Sequence, residues 1–204
     1  MSVGFAKKIG MTRLFIENKA VPVTVLQFQK SVVTQVKTKQ KEGYDSIQVS
    51  AMPQKKVTKA ILGHIQKALP EVISGFRKVS EFKKITTDQT EFSINDFIVG
   101  NLLSITNKTI GRGYTGAVKR WGFAGQPQTH GHDHTRAVGS MGSRWPQRVV
   151  KGKKMAGQHG NQNLTLNNVK IVAIDEELNL IFVNGSIPGA NSSIVKLQKT
   201  KETK

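Results

Sequence analysis

The stretch NNVKIVAIDEELNLIFVNGSI, residues 167–187, decides the fold reading. It holds two short runs rich in Val, Ile and Phe, NNVKIVAID (167–175) and NLIFVNGSI (179–187), with the acidic pair Glu176 and Glu177 between them. β-Branched and aromatic residues suit a pleated, half-buried surface. Short runs of this kind bounded by turn residues read as strands. The pattern continues outward in both directions. SIVKLQ (193–198) follows a Gly189-Ala190-Asn191 turn, and FIVGNLLSIT (97–106), DSIQVSAM (45–52), SVVTQVKT (31–38) and AVPVTVLQF (20–28) precede it. DSIQVSAM places Ile47 and Val49 on one face, and Pro22 suits a strand start or an edge. The Lys-Glu-Gly-Tyr-Asp run after SVVTQVKT reads as a turn. Many short strands predict a mainly-β sandwich or barrel, and closing the sheet into a barrel would remove its edges.

One helix stands out. In KAILGHIQKAL the apolar residues Ile61, Leu62, Ile65, Ala68 and Leu69 keep helical spacing, Gly63 weakens it and Pro70 ends it. The EVISGFRKVSEF run beyond it fits either period. There is no cysteine, which excludes disulfides and thiolate metal sites. No run of 18 apolar residues exists, so a membrane span is not expected. The N-terminus lacks the apolar stretch of a secretory signal and the Arg- and Ser-rich character of a transit peptide. An intracellular, soluble chain is the expectation.

Charge singles out the middle. The net charge is +18 over 204 residues, a balance that attracts polyanions. Residues 108–160 hold 10 basic residues and 1 acidic residue, so half of the net charge lies in about a quarter of the chain. The same segment holds 11 of the 19 glycines and 4 of the 5 histidines. Neither period persists there, and without an apolar face the segment cannot offset the entropy of its own ordering. Long structureless stretches inside a domain are functional or disordered. Doubled back, the segment could reach up to roughly 85 Å at about 3.3 Å per residue. The rest of the chain has an expected radius of gyration of only about 15 Å.

GRGYTGAVKRWGF (111–123) mixes Arg112, Lys119 and Arg120 with Tyr114, Trp121 and Phe123. Phosphates take cations, and unstacked bases take aromatic faces or guanidinium planes. GSMGSRWPQRVVKGKKMAG (139–157) adds Arg144, Arg148, Lys151, Lys153 and Lys154 without an acid. The competing reading is a solvated linker, which has little use for two tryptophans. HGHDH offers His130, His132 and His134 around Asp133 as metal ligands. No further glutamate follows before residue 176, so polar contacts to phosphate fit these histidines better than a metal does. GRGYTG resembles a dinucleotide fingerprint only superficially, because its last glycine is misplaced and no helix clearly follows. No nucleophile or carboxylate pair is convincing.

SITNKTIGRGYTGAVKRWGF, THGHDHTRAVGSMGS and RVVKGKKMAGQHGNQNLT together resemble the universal large-subunit ribosomal protein L-three family of bacterial or organellar type. The resemblance covers nearly the whole chain: KKIGMTRLF, PVTVLQF and GYDSIQV are similar to its early strands, KAILGHIQKA to a short helical segment, and FVNGSIPGANSSIV to its closing strands. It implies a mainly-β fold, a translation-protein-type β-barrel with a short helical segment and a long irregular basic internal extension. Residues 1–107 would form the first part of the barrel, with a helical insert near 58–82. Residues 108–160 would form an arm threading rRNA towards the peptidyl transferase centre, and residues 161–204 the closing strands and a basic tail.

The implied role is structural and non-catalytic, in early assembly of the large subunit, either in the cytoplasm or in an organelle matrix. The implied partners are 23S-type rRNA and neighbouring ribosomal proteins, with no membrane, no second copy of the chain, no metal and no cofactor. The candidate rRNA contacts are Arg112, Lys119, Arg120, Arg136, Arg144, Arg148, Lys151, Lys153 and Lys154, with Trp121 and Trp145 for stacking. Gly111, Gly113, Gly116, Gly139, Gly142, Gly152 and Gly157 would permit close backbone approach, or simply make turns. Ser104 stands where family members carry Asp, read as a local turn change, and Ile110 where they carry a basic residue. Ser143 stands where some bacterial members carry a methylated glutamine. Two alternatives stay open: an extra-ribosomal RNA chaperone or regulator, and a metal-dependent β-barrel enzyme using the HGHDH cluster.

Overall fold

The computed structural model describes residues 2–70, 75–83 and 89–200. The chain forms two compact units, one of residues 1–108 and 163–204, the other of residues 109–162.

Six strands of the first unit form a closed ring. They are β1 (Val3–Ile16), β2 (Lys19–Gln29), β7 (Leu102–Lys108), β10 (Asn163–Asp175), β11 (Leu180–Asn184) and β12 (Ile194–Lys199). The order around the ring is β1-β12-β7-β10-β11-β2, and β2 returns to β1. Every pairing is antiparallel. The period of two sends alternate residues inward. Ala6, Leu26, Phe28, Leu103, Ile105, Ile171, Ile181, Val183, Val195 and Leu197 fill the interior, with Ile94, Phe97 and Ile187 packed on them. Gly4 leaves room for Phe28, since a Cβ there would stand 2.6 Å from its ring.

A second sheet in the same unit is ordered β5-β4-β3-β6. Its strands are β3 (Ser31–Lys37), β4 (Ser46–Gln54), β5 (Gly75–Lys83) and β6 (Glu91–Phe92). It explains why β1 begins with four buried residues, Val3 to Ala6. Ala6 points into the ring, while Val3 and Phe5 join Ile47, Val49, Ala51, Phe82 and Phe92 in a second core. Phe5 and Phe82 meet edge to face at 5.6 Å, a preferred aromatic geometry.

Several expected boundaries move. The helix, α2 (Lys59–Gln66), stops before Pro70, and only Ile65 on it is buried. The turn after β3 contains a single helical turn, α1 (Lys39–Glu42), ended by Gly43 in the left-handed region. Residues 97–101 are not strand: Gly100 has φ 91° and its N–H donates to Ile171 O at 2.9 Å, so the chain bends before β7. Of the ambiguous EVISGFRKVSEF, residues 75–82 belong to β5 and 71–74 lie outside the described residues, as do residues 201–204 of the basic tail. Ser104 is mid-strand rather than in a turn, and its Oγ donates across to Asn167 Oδ1 at 2.8 Å. Pro22 pairs with Arg13 in the β1–β2 ribbon, while β11 reaches β2 only from Val23 onward. Its missing N–H therefore falls where no partner strand needs it.

Candidate nucleic-acid interface

The second unit starts and ends on a narrow ladder. Thr109 N donates to Gln162 O at 2.9 Å and Asn161 N to Thr109 O at 3.1 Å. Arg112 N donates to His159 O and His159 N to Gly113 O, both at 2.9 Å. Above them Tyr114–Thr115 (β8) pairs with Gly157–Gln158 (β9). The close approach depends on Gly160, whose φ is 72° and whose Cβ would collide with the carbonyl of Ile110. A Cβ on Gly111 would stand 3.3 Å from Asn161 Cβ.

A short helix follows β8, where the sequence shows no clear one. Residues Ala117–Trp121 (α3) begin after Gly116 and end at Gly122, which has φ 72° and donates to Val118 O at 2.9 Å. Five residues are too few to display a helical period. The helix aims two side chains at one acceptor. Arg120 Nη1 and Trp121 Nε1 each donate to the Met155 carbonyl at 2.8 Å. A carbonyl oxygen has two lone pairs and can take both. The Arg120 guanidinium lies 5.0 Å from the Trp121 ring centroid and Lys154 Nζ 5.8 Å from it. Arg120, half-buried and committed to Met155, is thus placed unlike the other predicted cations.

Beyond α3, Gln126 N bonds Thr135 O at 2.9 Å, and His130, His132 and His134 lie exposed on that turn. No group of three or more metal-ligating residues is assembled among the described residues. From residue 138 to 154 the hydrogen bonds among described residues are all local: Ser140 with Gly142, Arg148 N to Pro146 O, and Lys153 N to Val150 O. Arg136, Arg144, Arg148, Lys151, Lys153 and Lys154 are all exposed, as are Arg112 and Lys119 near the ladder. None of these cations is in an ion pair among the described residues, where all three ion pairs belong to the other unit. Trp145 is 70% exposed and Tyr114 80%.

The predicted glycines separate into three kinds. Gly113 and Gly152 have φ 67° and 83° and make turns. Gly111 and Gly157 are crowded from within the chain, Gly157 by Arg120 Nη1 at 2.7 Å from its would-be Cβ. Gly116, Gly139 and Gly142 face open space. Sequence reasoning missed Gly160 and the Met155 carbonyl, and it named Tyr114 among the aromatics without carrying it to the stacking candidates. Tyr114 was legible as an aromatic between Arg112 and Lys119, but a backbone carbonyl leaves no mark in a sequence.

The ribosomal protein L3 family model matches residues 29–179. The chain belongs to that family. Large ribosomal subunit protein uL3 of Thermotoga petrophila is 39% identical over 209 residues, covering 100% of both chains. The proteins of the same name from Bdellovibrio bacteriovorus and Geobacter sulfurreducens are each 42% identical, covering 95% and 96% of this chain and 90% and 95% of their own. The family is one of structural ribosomal proteins, not enzymes. The enzymatic alternative built on the HGHDH cluster is therefore set aside. No helix among the described residues is long and apolar enough to cross a membrane.

Proposed function

We infer that the chain is a structural constituent of the large ribosomal subunit, bound to its rRNA and to neighbouring ribosomal proteins. The six-stranded ring is read as a β-barrel of the translation-protein type, and residues 108–160 as the arm that enters rRNA towards the peptidyl transferase centre. One observation carries this reading. Residues 136–154 hold six exposed cations, no acid and only local hydrogen bonds. Such a segment repels itself in water and gains when phosphates neutralise it. Arg112, Lys119, Arg136, Arg144, Arg148, Lys151, Lys153 and Lys154 are the proposed phosphate contacts. Arg120 has donors left beyond its Met155 bond for the same role. Trp145, Tyr114 and the exposed part of Trp121 are the proposed stacking surfaces, and Gly116, Gly139 and Gly142 allow the backbone close to RNA.

The test is sedimentation of a cell lysate through sucrose gradients at moderate and high salt, with the protein followed by blotting. An isolated partner held by 6–10 phosphate contacts loses roughly a thousandfold or more in affinity between about 50 and 200 mM salt. An arm threaded through RNA resists the wash, so the protein tracks the large subunit in both gradients. Early release would favour an extra-ribosomal RNA chaperone instead.

A further inference from the structure

A hollow of about 570 Å³ opens on the first unit, between the outer face of the ring and the second sheet. Two cations line it, Lys7 on β1 and Arg77 on β5, and no acid does. Both are exposed, and neither side chain has a hydrogen bond or ion pair among the described residues. Strand register brings Lys7 beside Gln27 of β2 and Ile194 of β12. Gln29 and Gln54 add two more amides. Met52, which also lines the hollow on β4 beside the strand that carries Arg77, has φ 62°. That conformation is uncommon for a residue with a side chain, and such strain clusters where ligands bind.

We propose that this hollow takes one unstacked nucleotide of RNA, its phosphate between Lys7 and Arg77 and its base edge against the glutamine amides. The proposal rests on the RNA-binding reading above and adds a contact on the ring unit to those of residues 109–162. The amides argue for a nucleotide over a bare carboxylate or phosphate ion. A carboxylate only accepts hydrogen bonds, whereas each glutamine presents a donor and an acceptor. A base edge presents both as well. Pro53 and Ile194 supply apolar surface for the base. The volume falls in the roughly 300–1,000 Å³ range of small-ligand pockets.

The experiment places a benzophenone side chain at position 54, and separately at position 148, in the full chain expressed in cells. Large subunits are isolated after irradiation and the attached molecule is identified. RNA attached at both positions is the expected result. RNA at 148 with a protein or nothing at 54 overturns the hollow and leaves the proposed function standing. No RNA at either position overturns both. Lys7→Ala with Arg77→Ala should cut the RNA yield at position 54 at least roughly tenfold, the factor one charge-assisted hydrogen bond is worth. The yield at position 148 should hold. Equal yields at position 54 with and without the two cations would also overturn the proposal.

Discussion

Lys8 Nζ donates to the carbonyl of Ile187 at 2.7 Å, and to that of Gly189 at 2.9 Å. Asn107 Nδ2 takes the carbonyl between them, that of Pro188, and also bonds Ser193 Oγ at 2.8 Å. Three successive carbonyls of the β11–β12 loop are thus held by two side chains. Both follow the ring's inward face: Lys8 is two residues past Ala6, and Asn107 two past Ile105. The apolar interior ends in polar groups that satisfy the carbonyls of a partly buried loop, as buried backbone requires. Gly189 is needed there, because a Cβ would collide with Asn107 Nδ2.

Lys8→Met should therefore destabilise the first unit by about 1–3 kcal/mol, the cost of leaving buried carbonyls unsatisfied. Burial pushes the Lys8 ammonium below its ordinary value of 10.5. Between that lowered value and 10.5 the unfolded chain holds a proton that the folded chain has released. This group's contribution to stability thus rises with pH across that window. Urea unfolding of wild type and variant, compared at alkaline pH below 10.5, checks both points. A gap between them that narrows as pH rises would contradict the assignment.

Gly160→Ala should loosen the ladder at the start of residues 109–162. The left-handed φ and the Ile110 carbonyl both oppose a side chain, and such strain costs about 1–3 kcal/mol. Amide hydrogen exchange at Arg112, His159 and Asn161 reads this directly, with faster exchange expected and unchanged protection counting against it.

Trp121→Phe keeps a ring but removes the N–H to Met155. The loss should be about 0.5–1.5 kcal/mol, confined to the second unit. Limited trypsin digestion should then cut faster at Lys153 and Lys154, beside a carbonyl left with the Arg120 bond alone. An unchanged digestion rate would mean that Arg120 alone holds Met155.

Replacing Lys151, Lys153 and Lys154 with Ala should weaken RNA binding and lower the log–log salt slope by about 2–3. The melting temperature of the free protein should barely move, since none of the three is in an ion pair. A drop of many degrees would make these lysines structural and remove them from the interface.

Trp145→Ala removes a ring that is 70% exposed. Stacking on one base is worth about 1–3 kcal/mol, so large-subunit maturation should slow in a pulse-labelled culture. Wild-type maturation would strike Trp145 from the stacking residues.

Period and composition alone made the mainly-β class, seven of the longer strands and the helix at residues 59–66 legible. Strand alternation and the Lys-Arg excess are local properties, written residue by residue. The same holds for the concentration of unpaired charge in residues 108–160, and for the motifs that placed the chain in its family. Other features depend on partners far apart in sequence. The ring closes because β1 pairs with β2 and with β12, some 190 residues away. Phe5 is buried on the outer side of β1 only because β4 and β5 cover it. α3 was invisible because one helical turn shows no period, and its purpose lies in Met155, 34 residues on from Trp121. Lys7 and Arg77 read as ordinary surface charges until register and sheet packing set them around one hollow. Chain order alone settles which residues carry charge and which seek burial. Which cations the protein itself holds, such as Lys8 and Arg120, follows from tertiary packing alone, because hydrogen bonds and excluded volume act between groups that chain order does not bring together.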